Sequence, residues 1–340
     1  MTHDPERPPE ALLDLVRRRS AARAARDFAT ADALRTEIEA AGWRPVDHGT
    51  HTTLERAVPA DVMIDGVVHY GSPASVPSRL DDPATAAATL LVVVGQPDDG
   101  LGRLLAAVRQ AGRPDIQVVV VAAAAAVGEP ARLTLPADHA ADLEVVRLAA
   151  PLGRAASLAA GLRRATGRIV VFADPSVEPT GDAVSPLAGA LADPAVAVAG
   201  DLGLASADLR HVEPTLAPDP LAIEGSWLAV RRDDAARPGV LDERFVEAAW
   251  LDLWLSVVIR LGVERTGLDD DARRDDTGDA PPTVPSEPSG PALRAARRLD
   301  LPLVRHGEPP TLVAQGDRSA RRQFYRWLDL ARAHPELGQR

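Results

Sequence analysis

The chain has 340 residues, 38 of them basic and 49 acidic, for a net charge of −11; 46% are apolar and 3% aromatic. The acidic balance excludes a broadly basic nucleic-acid-binding surface, and the scarcity of aromatics excludes base-stacking platforms. The sequence lacks Cys, Lys and Asn, which removes thiol and Schiff-base nucleophiles, disulfides, zinc–thiolate centres and N-glycosylation.

In chain order, Met1 to Glu10 is polar and proline-rich, and no stretch approaches the ~20 apolar residues of a membrane span, so a cytoplasmic protein is expected. Residues 1–57 are read as a helical hairpin module. Ala11, Leu12, Leu15 and Val16 repeat at helical spacing, as do Phe28, Ala31, Leu34 and Ile38 after a break at Arg26-Asp27. Gly42 is placed to end the second helix, and Trp43 to Val46 with Thr52 to Leu54 suit a hairpin turning through His48-Gly49-Thr50-His51. The two histidines read as turn residues and not as metal ligands. The run Ala21 to Arg35, followed by Gly42-Trp43 and Asp47, resembles the C-terminal helical module of cysteinyl-tRNA synthetases. In that family the module helps to hold tRNA, which would engage Arg17, Arg18, Arg19, Arg23 and Arg26. An arginine run on an amphipathic helix is more often a solvated face, so a docking or oligomerisation role is preferred to RNA binding, and DNA is excluded.

Residues 58–88 are rich in Pro, Ala, Ser and Asp and read as a linker with one strand-like piece at Val67 to Tyr70. Beyond it the pattern changes. Leu90 to Val94, Ile116 to Val121, Val145 to Leu148, Ile169 to Ala173 and Val196 to Ala199 are β-branched runs of strand length, the signature of buried parallel strands. Leu101 to Arg109, Ala155 to Arg164 and Ala183 to Leu191 carry apolar residues three and four apart. The predicted fold is α/β, an open and mostly parallel sheet with flanking helices. Residues 269–291 alternate acids with prolines and are expected to form a mobile loop; 311–340 are expected to include a C-terminal helix carrying Phe324, Trp327 and Leu328.

Ligands of such sheets sit at the carboxyl ends of the strands. Gly95 to Gly100 imitates half of a phosphate-binding loop, but Leu101 and Gly102 stand where Lys and Ser/Thr are needed. No Gly-x-Gly-x-x-Gly follows a strand, and no Gly-x-Ser-x-Gly elbow is present. After the fourth strand comes Asp174-Pro-Ser176-Val-Glu178-Pro, a carboxylate held at the edge facing the crevice.

The segment Gly153-Arg-Ala-Ala-Ser-Leu-Ala-Ala-Gly161 to Gly167-Arg-Ile-Val-Val-Phe-Ala-Asp174 resembles the central part of family 2 glycosyltransferases of the GT-A fold, where a Gly-rich helix leads into a strand ending in Asp-x-Asp. Glu224-Gly-Ser-Trp227 to Arg232, Gly239-Val-Leu-Asp-Glu-Arg-Phe245, Trp250 to Leu255 and Leu299 to His306 are similar to later elements of that family. The resemblance implies a GT-A-like domain over 89–310 and sugar transfer from a nucleotide-diphosphate donor to a hydroxyl acceptor, a glycan or envelope polysaccharide. It implies a divalent metal, Mg or Mn, on Asp174 and His306. Asp174 and Ser176 become donor contacts, with Asp98 from the first crevice loop, and Asp252 the catalytic base. Glu224 and Trp227 are read as acceptor contacts, because a wide ring beside a carboxylate suits a sugar face. Trp250 and Trp254, four apart, are read as core.

The sequence departs from the family pattern at several points. Ser176 replaces the second aspartate of Asp-x-Asp, Val121 to Ala124 stand where an acidic pair contacts the base, Ala159 replaces asparagine, and Leu251-Asp252 replaces Glu-Asp. The alternative is therefore a catalytically degenerate GT-A-like binding or scaffolding protein.

Overall fold

The computed structural model describes residues 10–48, 51–95, 99–111, 115–125, 129, 131, 133, 143–206, 211–243, 245, 248–262, 294–307 and 329. Asp98, the loop 269–291 and all of 311–340 except residue 329 lie outside them.

Two helices open the described chain, α1 (Glu10–Ala24) and α2 (Phe28–Ala40), followed by the antiparallel strands β1 (Trp43–His48) and β2 (His51–Arg56). The Asp27 carboxylate caps α2 by accepting from the Thr30 N–H at 3.2 Å, and Gly42, at φ +80°, turns the chain out of the helix into β1. Leu12, Val16, Ile38 and Trp43 form a small core of their own. The arginine run of α1 is not uniformly solvated. Arg19 is buried, and its guanidinium makes two bonds to the Asp47 carboxylate, at 2.9 and 3.0 Å; Arg23 pairs with the same carboxylate, and Arg17 lies 3.4 Å from both Glu10 and Asp14.

The main body is built on β3 (Val62–Ile64), β4 (Val67–Tyr70), β5 (Ala86–Val94), β6 (Ile116–Ala122), β7 (Leu143–Leu148), β8 (Gly167–Ala173), β9 (Val177–Pro179), β10 (Val196–Gly200), β11 (Gly203–Ala205), β12 (Glu213–Thr215), β13 (Ala222–Ile223), β14 (Trp227–Arg231), β15 (Ala295–Arg298) and β16 (Leu303–Arg305). Its helices are α3 (Asp99–Gln110), α4 (Arg154–Leu162), α5 (Ser185–Ala192), α6 (Arg232–Ala235) and α7 (Ala248–Leu261). Among the described residues nine strands join one sheet in the order β15-β10-β14-β8-β5-β6-β7-β4-β3. Five of its eight pairings are parallel; β14 runs antiparallel to both β8 and β10, and β3 to β4. The stretch expected as a linker is thus more than a tether, since it supplies β3 and β4 at the sheet edge and the first residues of β5.

Both faces of the sheet are covered, which is why its strands read as continuous apolar runs. Leu91, Val119, Val121 and Phe172 face α4 and α7, whereas Leu90, Val92, Val120 and Val171 face α3 and α5, as the two-residue pleat demands. Gly161 lets α4 approach the sheet closely: a Cβ there would lie 2.6 Å from Cγ2 of Val121 and 3.0 Å from Cδ1 of Leu91. Phe245 and Trp254 stack with centroids 5.0 Å apart on the α7 side, where Trp250 and Trp254 are core residues, as expected.

Candidate active site

The parallel strands β5, β6, β7 and β8 end at one edge of the sheet, where loops and helix starts present polar groups. Gly153, at φ +86°, turns the chain into α4 and sets Arg154 in its first turn. The Arg154 Nε is buried with no hydrogen-bond partner among the described residues. At the end of β8, Asp174 stands partly exposed. Its Oδ1 accepts the Ser176 N–H at 2.9 Å and its carbonyl accepts the Val177 N–H, so the Asp-Pro turn and the edge position coincide in one residue.

Because β14 runs antiparallel to β8, with Trp227 opposite Ala173, the turn leading into β14 is brought against Asp174. The Asp174 N–H donates to the Ser226 carbonyl at 2.9 Å. On the far side of the same turn, the Gly225 N–H donates to Oδ2 of Asp252 at 2.8 Å. A Cβ on residue 225 would fall 2.1 Å from Asp252 Oδ1, so a glycine is required for this approach. Asp252, in the second turn of α7, is 7% exposed. Burial, followed by the Glu224 charge, pushes its carboxyl up to about 8; the Arg154 cation and the Gly225 N–H oppose this, and Asp174 adds a smaller upward push.

The strands β9 and β16 pair antiparallel, which carries the late histidine to the Asp-Pro turn. The His306 N–H donates to the Ser176 carbonyl at 2.7 Å, and its Nε2 lies 2.8 Å from Oε2 of Glu178. Beside it, Arg305 spans the Asp201 carboxylate, just past β10, and the Glu224 carboxylate.

Asp174, Ser176, Asp252, Glu224 and His306 therefore gather at one edge of the sheet. Two of the acceptor readings need correction. Trp227 is 1% exposed; it packs with Leu90, Ala183 and Leu187 under α3 and α5, its Nε1 donating to the Ala183 carbonyl at 3.3 Å, so its ring is core and presents no face to a sugar. Glu224 is 4% exposed and its carboxylate is engaged by the Ser226 N–H, the Ser226 hydroxyl and Arg305, leaving it a structural acid. Sequence reasoning missed Asp201, Arg305, Arg154 and Gly225, although Arg154 and Arg305 directly flank the singled-out Gly153 and His306.

A divalent cation needs several oxygen or nitrogen ligands converging on one point. Among the described residues no group of three His, Cys, Asp or Glu side chains does so. Asp174 and His306 flank Ser176, but an oxygen of the first is held by a backbone N–H and Nε2 of the second faces Glu178. As arranged, these described residues do not form a cation cradle.

Residues 96–237, less than half of the chain, match the family model described as glycosyl transferase family 2. Two solved structures are similar. The mannosyltransferase PcManGT from Pyrobaculum calidifontis, in complex with GDP-Man and Mn2+, has 24% identity and a TM-score of 0.38, over 56% of this chain and 57% of that one. GalNAc-T7 with UDP, GalNAc and Mn2+ has 13% identity and a TM-score of 0.40, over 61% of this chain and 44% of that one. The chain thus spans less than two thirds of either protein. No curated protein matches.

Proposed function

We propose that this protein is a glycosyltransferase that moves a sugar from a nucleotide-diphosphate donor to a hydroxyl acceptor, with a glycan or cell-envelope polysaccharide as the acceptor class. The observation that carries the reading is the meeting of Asp174 and Asp252 on two sides of the Gly225–Ser226 turn, at the strand ends of a domain whose residues 96–237 match the family model. Breaking the sugar–phosphate bond leaves negative charge on the departing diphosphate, and preorganised positive charge lowers that barrier. Arg154, with a buried and unpartnered Nε, and the N-terminus of α4 supply it. Asp252 in its ionised form accepts the proton of the acceptor hydroxyl; the raised proton affinity makes that carboxylate a stronger base and makes turnover increase as pH approaches about 8. Asp174 and Ser176 face the donor. Among the described residues no helix is long and apolar enough to cross a membrane, and a cytoplasmic location is part of the proposal.

The degenerate binding or scaffolding reading is favoured by one observation, that no three cation-ligating side chains converge among the described residues. For residues 1–57 we propose docking or oligomerisation over RNA binding, since Arg17, Arg19 and Arg23 are engaged by acids of the same unit. Calorimetric titration with UDP, GDP and dTDP, with and without Mn2+, tests the main proposal. Saturable binding of one nucleotide, lost in Asp174→Ala, is expected. A wild-type protein that binds none of the three sinks the transferase reading, and binding without turnover of any sugar nucleotide favours the scaffold.

A further inference from the structure

The turn Glu224 to Ser226 is the point at which the candidate site is tied together. Its backbone holds Asp174 through the Ser226 carbonyl and Asp252 through the Gly225 N–H. Its side chains hold Arg305, whose Nη1 donates to Ser226 Oγ at 2.6 Å and to Glu224 Oε2 at 3.2 Å. The same guanidinium reaches Asp201 Oδ2 through Nε at 3.2 Å and Nη2 at 3.0 Å.

We propose that Arg305 is a positioning residue for Asp252, acting through Glu224 and Ser226 on the turn whose Gly225 seats the Asp252 carboxyl. The proposal rests on the reading of Asp252 as the base. A guanidinium is charged at every accessible pH and its planar fork suits two carboxylates at once. Asp201 pins one side of it, so the other is delivered to Glu224 in a fixed position. Glu224 is almost fully buried, where a carboxylate without a partner is costly, and Arg305 holds it in place. The charges facing Asp252 are Glu224 from the turn, Arg154 from α4 and Asp174 from the end of β8. A change at residue 305 is therefore felt at residue 252 by way of residue 224.

The test is the protonation of Asp252 itself, followed by infrared or carbon NMR titration of the ligand-free full chain and assigned by its loss in Asp252→Asn. Arg305→Ala frees the Glu224 carboxylate and the turn, and the Asp252 titration is expected to move by about one pH unit. Glu224→Gln removes a repelling charge and is expected to move it down by a similar amount. Arg305→Lys, which keeps the charge but not the fork that reaches Asp201, Ser226 and Glu224 together, is expected to fall between wild type and Arg305→Ala. If Arg305 only tethers β16, Asp252 in Arg305→Ala titrates as in wild type, and the proposal is overturned. Should Arg305→Ala fail to fold, an unmoved Asp252 in Glu224→Gln overturns it equally. The titration needs no ligand, so a wild-type chain that binds no nucleotide sinks the transferase reading and leaves this coupling standing.

Discussion

Substituting Gly225 by alanine places a methyl group 2.1 Å from Oδ1 and 2.5 Å from Cγ of Asp252. The backbone of residue 225 is outside the left-handed region, so alanine adds no torsional strain there and the collision is the whole perturbation. Neither partner can retreat cheaply. Asp252 sits in α7 between the fully buried Leu251 and Leu253, and the turn is fastened to Asp174 and Arg305. Overpacking of a filled interior costs ~1–3 kcal/mol. Losing the 2.8 Å bond from the Gly225 N–H costs a comparable ~1–3 kcal/mol. A total near 3 kcal/mol is therefore expected for Gly225→Ala, on the order of a quarter or more of a typical folding free energy. In an Asp252→Ala background the obstructing carboxyl is gone and the penalty should shrink below ~1 kcal/mol, a coupling of about 2 kcal/mol. Urea unfolding of the four proteins, followed by circular dichroism, measures it. Equal penalties in both backgrounds would refute the claim that residue 225 is glycine because of Asp252.

Other outcomes follow from the same geometry. Folded Asp252 holds its proton up to about 8 against an ordinary 3.8, so its contribution to stability is full at low pH and drains away as pH rises across that window; Asp252→Asn should remove this slope from the pH dependence of urea unfolding. Asp47 has the opposite sign. Its bonds to Arg19 hold its carboxyl below the usual range, so its contribution is full above about pH 5 and is lost in acid, and Asp47→Ala, which strands the buried Arg19, should cost the N-terminal unit about 3 kcal/mol by hydrogen exchange. Trp227→Ala should destabilise the fold by ~3–5 kcal/mol. Trp227→Phe should leave nucleotide affinity by calorimetry unchanged, whereas a tenfold loss would restore a ligand contact to that ring.

Much of the α/β core was legible because doubly covered strands leave long β-branched runs. Leu90 to Val94 and Ile116 to Val121 lie inside β5 and β6, and Asp174 follows β8 where strand-end logic put it. The edge strands β3 and β4 were harder, since three or four half-exposed residues carry almost no periodicity; only Val67 to Tyr70 showed. Trp227 was misread because, in a sheet covered on both faces, an aromatic at a strand start is core whichever way it points. Glu224 was misread because the cation that engages it lies 81 residues away, and no local spacing announces such a partner. The Gly225–Asp252 contact is equally non-local, at 27 residues, and became visible only when α7 was packed against the turn.

In the proposed reaction Asp252, seated against Gly225, removes a proton during sugar transfer. Incubation of the full chain with a panel of sugar nucleotides and hydroxyl acceptors, with release of nucleoside diphosphate as the readout, tests it directly. At least one donor should be consumed by the wild-type protein, and Asp252→Asn should slow that release by about 100-fold or more while leaving nucleotide affinity nearly intact. Turnover that proceeds as fast in Asp252→Asn as in wild type, or no turnover of any donor above the buffer rate, would contradict it.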